Sequence, residues 1–283
     1  MGTWSASLYG DDEACDLRDT IALVAKLPRS GDALLALLRE REEDSVEGDV
    51  PPAWWVVVAD QFERRGIACP EAFQRALQVI EGGEDLAYLR DLGMDTRDLK
   101  KRAMVLDEVA TRLRAPRPVK PRPKAGKPPA NPMQAGEIYA FPTMRHGAVN
   151  SWFPSWAQAR FVPDGWGACV VLATGRAFDW LPWAAVESLG VETGVEPSLE
   201  AAVAAPFFAG QGPSRCVPRK LQMQRTGLKR LGQVVLDAAK VEAHLRDAPS
   251  AEETVMAGWA ISSVVLGWGR QRPPRGGLAD LMP

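Results

Sequence analysis

The feature that most constrains the folding of this 283-residue chain lies in its middle, the stretch APRPVKPRPKAGKPPANP at positions 115–132. Seven of these residues are proline and five are Lys or Arg, with no acid and almost nothing apolar. Such a segment cannot bury enough surface to offset the entropy of ordering it. Proline, with no N–H and a fixed φ, neither continues a helix nor sits inside a sheet. One core cannot run through it, so residues 115–134 read as a basic linker, extended as polyproline II at about 3.1 Å per residue and therefore stiff.

The flanks differ in charge. Residues 1–114 carry 15 Lys/Arg against 23 Asp/Glu, the linker adds five positive charges, and the remainder is near balance with 14 against 13. The formal net charge of −2 thus conceals an acidic head and a basic neck, and an acidic head favours basic partners over nucleic acid. The length allows two cores of ordinary size. Cys15, Cys69, Cys169 and Cys216 are far apart and form no CxxC pair, so neither a disulfide framework nor a zinc site is expected. No phosphate loop, dinucleotide fingerprint or HExxH occurs, and no cofactor is expected. The first residues lack the basic and apolar regions of a signal peptide. The apolar run 255–268 is broken by Gly and Ser and is too short to span a membrane. A cytoplasmic protein is expected.

Before the linker the apolar period is helical. Asp11 and Asp12 start a helix with Ala14, Leu17, Ile21, Val24 and Ala25 on one stripe. Leu34, Leu35, Leu37 and Leu38 mark a second. Pro51 and Pro52 open a third, where Trp54, Trp55, Val58 and Phe62 line one side until Gly66. A fourth begins near Pro70 with Phe73, Ala76, Leu77 and Ile80 inward, a short fifth follows Gly83, and Asp95 caps a sixth striped by Leu99, Ala103, Leu106, Ala110 and Leu113. Past the linker the segments become short, aromatic or β-branched. Strands are expected at 136–143, 156–162, 168–173, 215–223 and 231–237, with 177–183 extending the sheet or crossing its edge, a short helix at 198–205, and a Ser250/Glu253 capping box opening a final helix. The expected fold is α+β: an all-helical bundle over 1–114, the linker, an antiparallel sheet with flanking helices over 135–270, and a fraying tail at 271–283.

The candidate chemistry is sparse. His146 lies in a turn and His244 on an amphipathic segment, and both are expected to be structural or solvated rather than catalytic. Cys216, His244 and Asp237 hold the ingredients of a thiol triad without a local signature. Arg215, Arg219, Lys220, Arg225, Lys229 and Arg230 either track a phosphate backbone or protect a strand edge from pairing, and the second is favoured. Five tryptophans fall within residues 152–183. Most belong to a core, but Trp152 and Phe153, beside Pro154, are candidates for an exposed protein-binding site. Asp11, Asp12, Glu13 and Asp16 form the acidic counterpart for a basic partner, although capping and the helix dipole also account for acids in a first turn.

Met1-Gly2-Thr3-Trp4, followed by Tyr9-Gly10-Asp11-Asp12 and Glu13-Ala14-Cys15-Asp16-Leu17, resembles an uncharacterised bacterial helical family that opens Met-Gly-Ala/Thr-Trp-Gly. The resemblance covers about the first thirty residues and departs at Ser5-Ala6-Ser7, where that family shows glycines. Ala135-Gly136-Glu137-Ile138-Tyr139-Ala140-Phe141-Pro142 is similar to the Gly-Asp-Val-Phe-Ala-Ile-Pro start of a β-rich family of bacterial immunity proteins found beside polymorphic toxins. The Gly-Tyr-Gly stretch that often follows is absent here. The resemblance implies a cytoplasmic, non-enzymatic antitoxin that binds a cognate protein toxin, one with a basic surface, and blocks it. No membrane is involved, and nucleic acid is the disfavoured alternative: a regulator using the basic linker and residues 215–230.

Overall fold

The computed structural model describes residues 5–43, 50–124, 126–192, 194–208, 212–265 and 276–283. Two compact units divide the chain at Gly126 and Lys127, inside the proline-rich stretch. Helices fill the first and an antiparallel sheet with helices the second, an α+β chain in two parts.

The first unit comprises α1 (Asp12–Val24), α2 (Gly31–Glu43), α3 (Pro52–Arg65), α4 (Pro70–Glu81), α5 (Glu84–Asp91) and α6 (Thr96–Arg114). Asp11 and Asp95 cap α1 and α6 by accepting from Ala14 N and Asp98 N, prolines start α3 and α4, and Gly66 ends α3 at φ 67°. The one-sided stripe expected for α3 is not what forms. This helix is central, and Val56, Val57, Val58, Ala59, Asp60, Gln61, Phe62 and Glu63 are all buried as α1, α4, α5 and α6 pack around it. Asp60 and Glu63 are thereby forced inside, where an unpaired charge is costly. Arg64 (2.8 Å), Arg112 and the Tyr9 hydroxyl meet Asp60, while Arg112 (2.9 Å) and Arg117 (2.8 Å) meet Glu63. Burial opposes both charges, yet these bonds hold both carboxyls below their ordinary values. A second buried pair joins Arg102 to Asp85 through two 2.9 Å bonds, and Arg102 also donates to Ser7 O at 2.7 Å.

The chain after α6 is not a free spacer. Arg117 binds Glu63 and Arg64 O, Lys120 N donates to Gly66 O at 2.8 Å, and Arg122 donates to Ala25 O (2.6 Å), Leu27 O and Arg29 O (both 2.9 Å). Arg122 thus satisfies carbonyls beyond the C-terminal end of α1, where helices leave acceptors unpaired. A Cβ at Gly66 would lie 2.9 Å from Lys120 Cγ and 3.0 Å from Pro118 O, so the glycine lets this strap lie close. Beyond the division, Met133 is buried in the sheet core, and Asn131 donates to Trp183 O at 2.8 Å. The stretch therefore serves as surface on one side of the division and as core on the other.

The sheet holds β1 (Glu137–Met144), β2 (Gly147–Ala148), β3 (Gly165–Ala177), β4 (Leu181–Leu189), β5 (Ser214–Cys216) and β6 (Lys229–Gln233). Its order is β2-β1-β3-β4-β5, with β6 pairing the first half of β1, and every pairing is antiparallel. Period-two alternation divides the strands between two cores. Ile138, Val170, Leu172 and Ala185 face α7 (Leu199–Ala204) and α9 (Ala238–His244), while Tyr139, Phe141, Cys169, Val171 and Val186 face Ile261, Val264 and Val265 of α11 (Ile261–Val265). Glu137 fixes the start of β1. Its carboxylate accepts from Tyr139 Oη (2.7 Å), Gln134 N (2.9 Å) and Arg230 Nε (2.8 Å) across to β6.

Three expectations give way. Residues 156–162 are not a strand: Ala159 N donates to Ser155 O (3.1 Å) and Phe161 N to Trp156 O (2.9 Å), forming a helical turn whose first residue, Ser155, caps Gln158 N at 3.3 Å. The segment 215–223 is strand only to Cys216; Pro218 intervenes, and α8 (Lys220–Thr226) follows, stopped by Gly227 at φ 74°. The described part of the tail, 276–283, is docked, with Leu278 and Leu281 buried and Asp237 N donating to Leu281 O at 2.8 Å; 271–275 lie outside the described residues. α10 (Ala251–Met256) carries the expected Ser250/Glu253 capping box.

The strap yields an expectation. An Arg117→Ala/Arg122→Ala chain loses charge-assisted bonds that are partly exposed, and stability of the helical unit should fall by about 1–2 kcal/mol, with faster proteolysis within residues 115–124. Limited proteolysis and thermal melting decide it; unchanged cleavage and melting would mean the strap is incidental.

Candidate protein-binding surface

The sheet unit presents aromatic side chains outward between β2 and β3. Trp152 is 40% exposed, Phe153 44% and Trp156 36%, within five consecutive residues. The turn from Ser155 holds this segment's backbone in one shape, and three contacts from α8 and its cap fix it in place. The Trp156 indole N–H donates to Arg225 O at 2.6 Å, Arg225 donates back to Ser151 O at 3.3 Å, and the Arg219 guanidinium stacks 5.4 Å from the Trp152 ring centre. Trp156 also meets Phe161 edge-to-face at 5.3 Å. Ser151, fully buried, bonds Ser262 at 2.7 Å and ties the start of the loop to α11. Leu221, one turn before Arg225 on the same side of α8, is 56% exposed. All three rings are thus exposed, and those of Trp152 and Trp156 are also held by partners, the state in which Trp contributes most to a protein interface because little entropy remains to be lost.

The acidic candidates sit on the helical unit, at the start of α1. Asp11 is occupied as the N-cap, accepting from Ala14 N at 2.7 Å. Asp12, Glu13 and Asp16 are exposed. Asp16 is held above the ordinary carboxylate value, by partial desolvation first and then by neighbouring Asp12 and Asp19, with Arg41 and Arg18 acting in the opposite direction.

The remaining candidates resolve as structural. Cys216 is buried with Cys169 in the core facing α11, and burial pushes the Cys169 thiol up to about 12 and Cys216 higher still, which disfavours a thiolate nucleophile. His244 packs by Phe207 on the opposite face and contacts Glu187 at 2.5 Å, while Asp237 caps α9 through Ala239 N and Lys240 N. The three residues do not converge. His146 occupies a turn at φ 67° and borders a cavity of about 50 Å³, room for water and not for a substrate. Among the described residues no group of three or more His, Cys, Asp and Glu side chains is placed to hold a metal, and no helix is long and apolar enough to cross a membrane. Of the basic stretch, Lys229 pairs with Glu196, Arg230 with Glu137, and Arg215 with Ala248 O and Pro249 O, so a continuous phosphate track is not presented.

Residue order alone pointed to Trp152 and Phe153 but placed Trp156 in a strand, read Arg219 and Arg225 as strand-edge charges and not as supports of this loop, and gave no role to Leu221. The available signal was Ser155-Trp-Ala-Gln158, an S-x-x-Q helix start. Comparison with family models, curated proteins and solved structures finds no match.

The His244–Glu187 pair makes stability depend on pH. Its hydrogen bond to Glu187 raises the folded imidazole above its ordinary value of 6.5, outweighing desolvation. The stabilisation is therefore complete below about 6.5, the unfolded value, and disappears as pH rises through the folded one. Thermal melting from pH 5.5 to 9 should show this fall. Glu187→Gln should flatten it and cost roughly 1–3 kcal/mol at pH 5.5; an equal slope in the variant would contradict the assignment.

Proposed function

We propose that this chain is an immunity protein, a non-enzymatic cytoplasmic antitoxin that binds a cognate bacterial toxin and occludes it. The observation that carries the reading is the exposed set Trp152, Phe153 and Trp156, in which Trp152 and Trp156 are held by α8 and its cap and all three are left open by the described residues. Large apolar side chains clustered at the surface cost solubility, so they are expected where a partner covers them. Asp12, Glu13 and Asp16 supply a separate acidic surface suited to a basic region of the toxin. Two such surfaces on one chain reinforce each other, because the second contact becomes intramolecular once the first has formed.

Co-expression with the product of the neighbouring reading frame tests this. The intact chain should restore growth and co-purify with that product. A Trp152→Ala/Phe153→Ala chain should lose rescue while keeping its melting temperature within a few degrees, since both side chains lie at the surface. Rescue undiminished by the double substitution, or no rescue by the intact chain, would contradict the reading.

A further inference from the structure

The loop at 150–162 and the segment 219–228 that supports it carry four cations, Arg160, Arg219, Lys220 and Arg225, and no Asp or Glu. Arg160 and Lys220 are exposed, and Arg219 lies over Trp152 at the edge of the aromatic set. We propose that this face docks an acidic protein surface with an apolar centre, a conclusion that presupposes the protein-binding role above and adds the charge of what is bound. The apolar centre meets Trp152, Phe153, Trp156 and Leu221, and carboxylates around it meet Arg160 and Lys220.

Charge alone would also admit single-stranded nucleic acid, but the rings argue for protein. Base stacking needs open aromatic faces along a continuous cationic groove. Here one face of Trp152 is taken by Arg219, Trp156 is engaged edge-to-face by Phe161, and its indole N–H is bonded to Arg225 O. The cations that would prolong a phosphate track, Lys229 and Arg230, are paired with Glu196 and Glu137. An aromatic cluster edged by Arg is the composition of a protein hot spot.

Fluorescence anisotropy with the full chain at low salt tests the proposal, using three labelled probes: a short helical peptide of Glu and Leu, its Gln and Leu counterpart, and a short oligo(dT). The acidic peptide should bind at least about tenfold more tightly than either other probe, and Arg160→Glu/Lys220→Glu should weaken it about tenfold with melting unchanged. Trp152→Ala should weaken it as well, a loss that a purely electrostatic contact would not show. Preference for oligo(dT), absence of binding to the acidic peptide, or acidic-peptide binding indifferent to these substitutions would each overturn the proposal. Failed growth rescue alongside intact acidic-peptide binding would remove the immunity role and leave the docking chemistry standing.

Discussion

The sheet of the second unit is covered on both faces, and most of the unit's architecture follows from that constraint. Alternation along β1, β3 and β4 sends Ile138, Val170 and Ala185 one way and Tyr139, Cys169 and Val186 the other. Both sets are apolar, so neither face can be left to water. The segments after β4 meet this demand: α7, α9 and the docked C-terminal turn cover one side, and α11 the other. The connection from β2 to β3 divides between inside and outside: Val149, Ser151 and Phe161 are buried, while Trp152, Phe153 and Trp156 are exposed. The helix α8 and its cap fix this segment through Ser151, Trp152 and Trp156.

The helical unit solves a different problem. A helix surrounded by four others buries every side, and α3 carries Asp60 and Glu63 inside with it. The protein answers with arginines from α3 itself, from α6 and from the strap beyond it. The result links the N-terminal Tyr9, α3, α6 and the chain after α6 through one charged network. Buried pairs of this kind contribute little net stability. Removing one partner is costly, however, so the network fixes which segments lie together more than how tightly they hold.

Much of the helical unit was legible because its punctuation is local. Asp11, Asp95, Pro52, Pro70 and Gly66 each act within one turn of where they stand, and the helices begin and end at them. What was not legible depends on distant partners. Arg102 stands in the buried stripe of α6 only because Asp85 of α5 receives it. Arg117 and Arg122 look like solvating charges in a linker until Glu63 and the carbonyls after α1 are brought to them. The candidate surface shows the same division: exposure at Trp152 and Phe153 follows from their loop, whereas the hold on Trp152 and Trp156 depends on α8 and its cap, nearly seventy positions away, hidden in a basic stretch that reads as strand.

The central claim is that an exposed, preorganised aromatic face exists to be covered by a partner. Hydrogen–deuterium exchange of the chain alone and in the presence of the neighbouring frame's product measures this directly, peptide by peptide. The account predicts added protection concentrated in residues 150–162 and in α8. Protection confined to other segments, or none in these two, would contradict it.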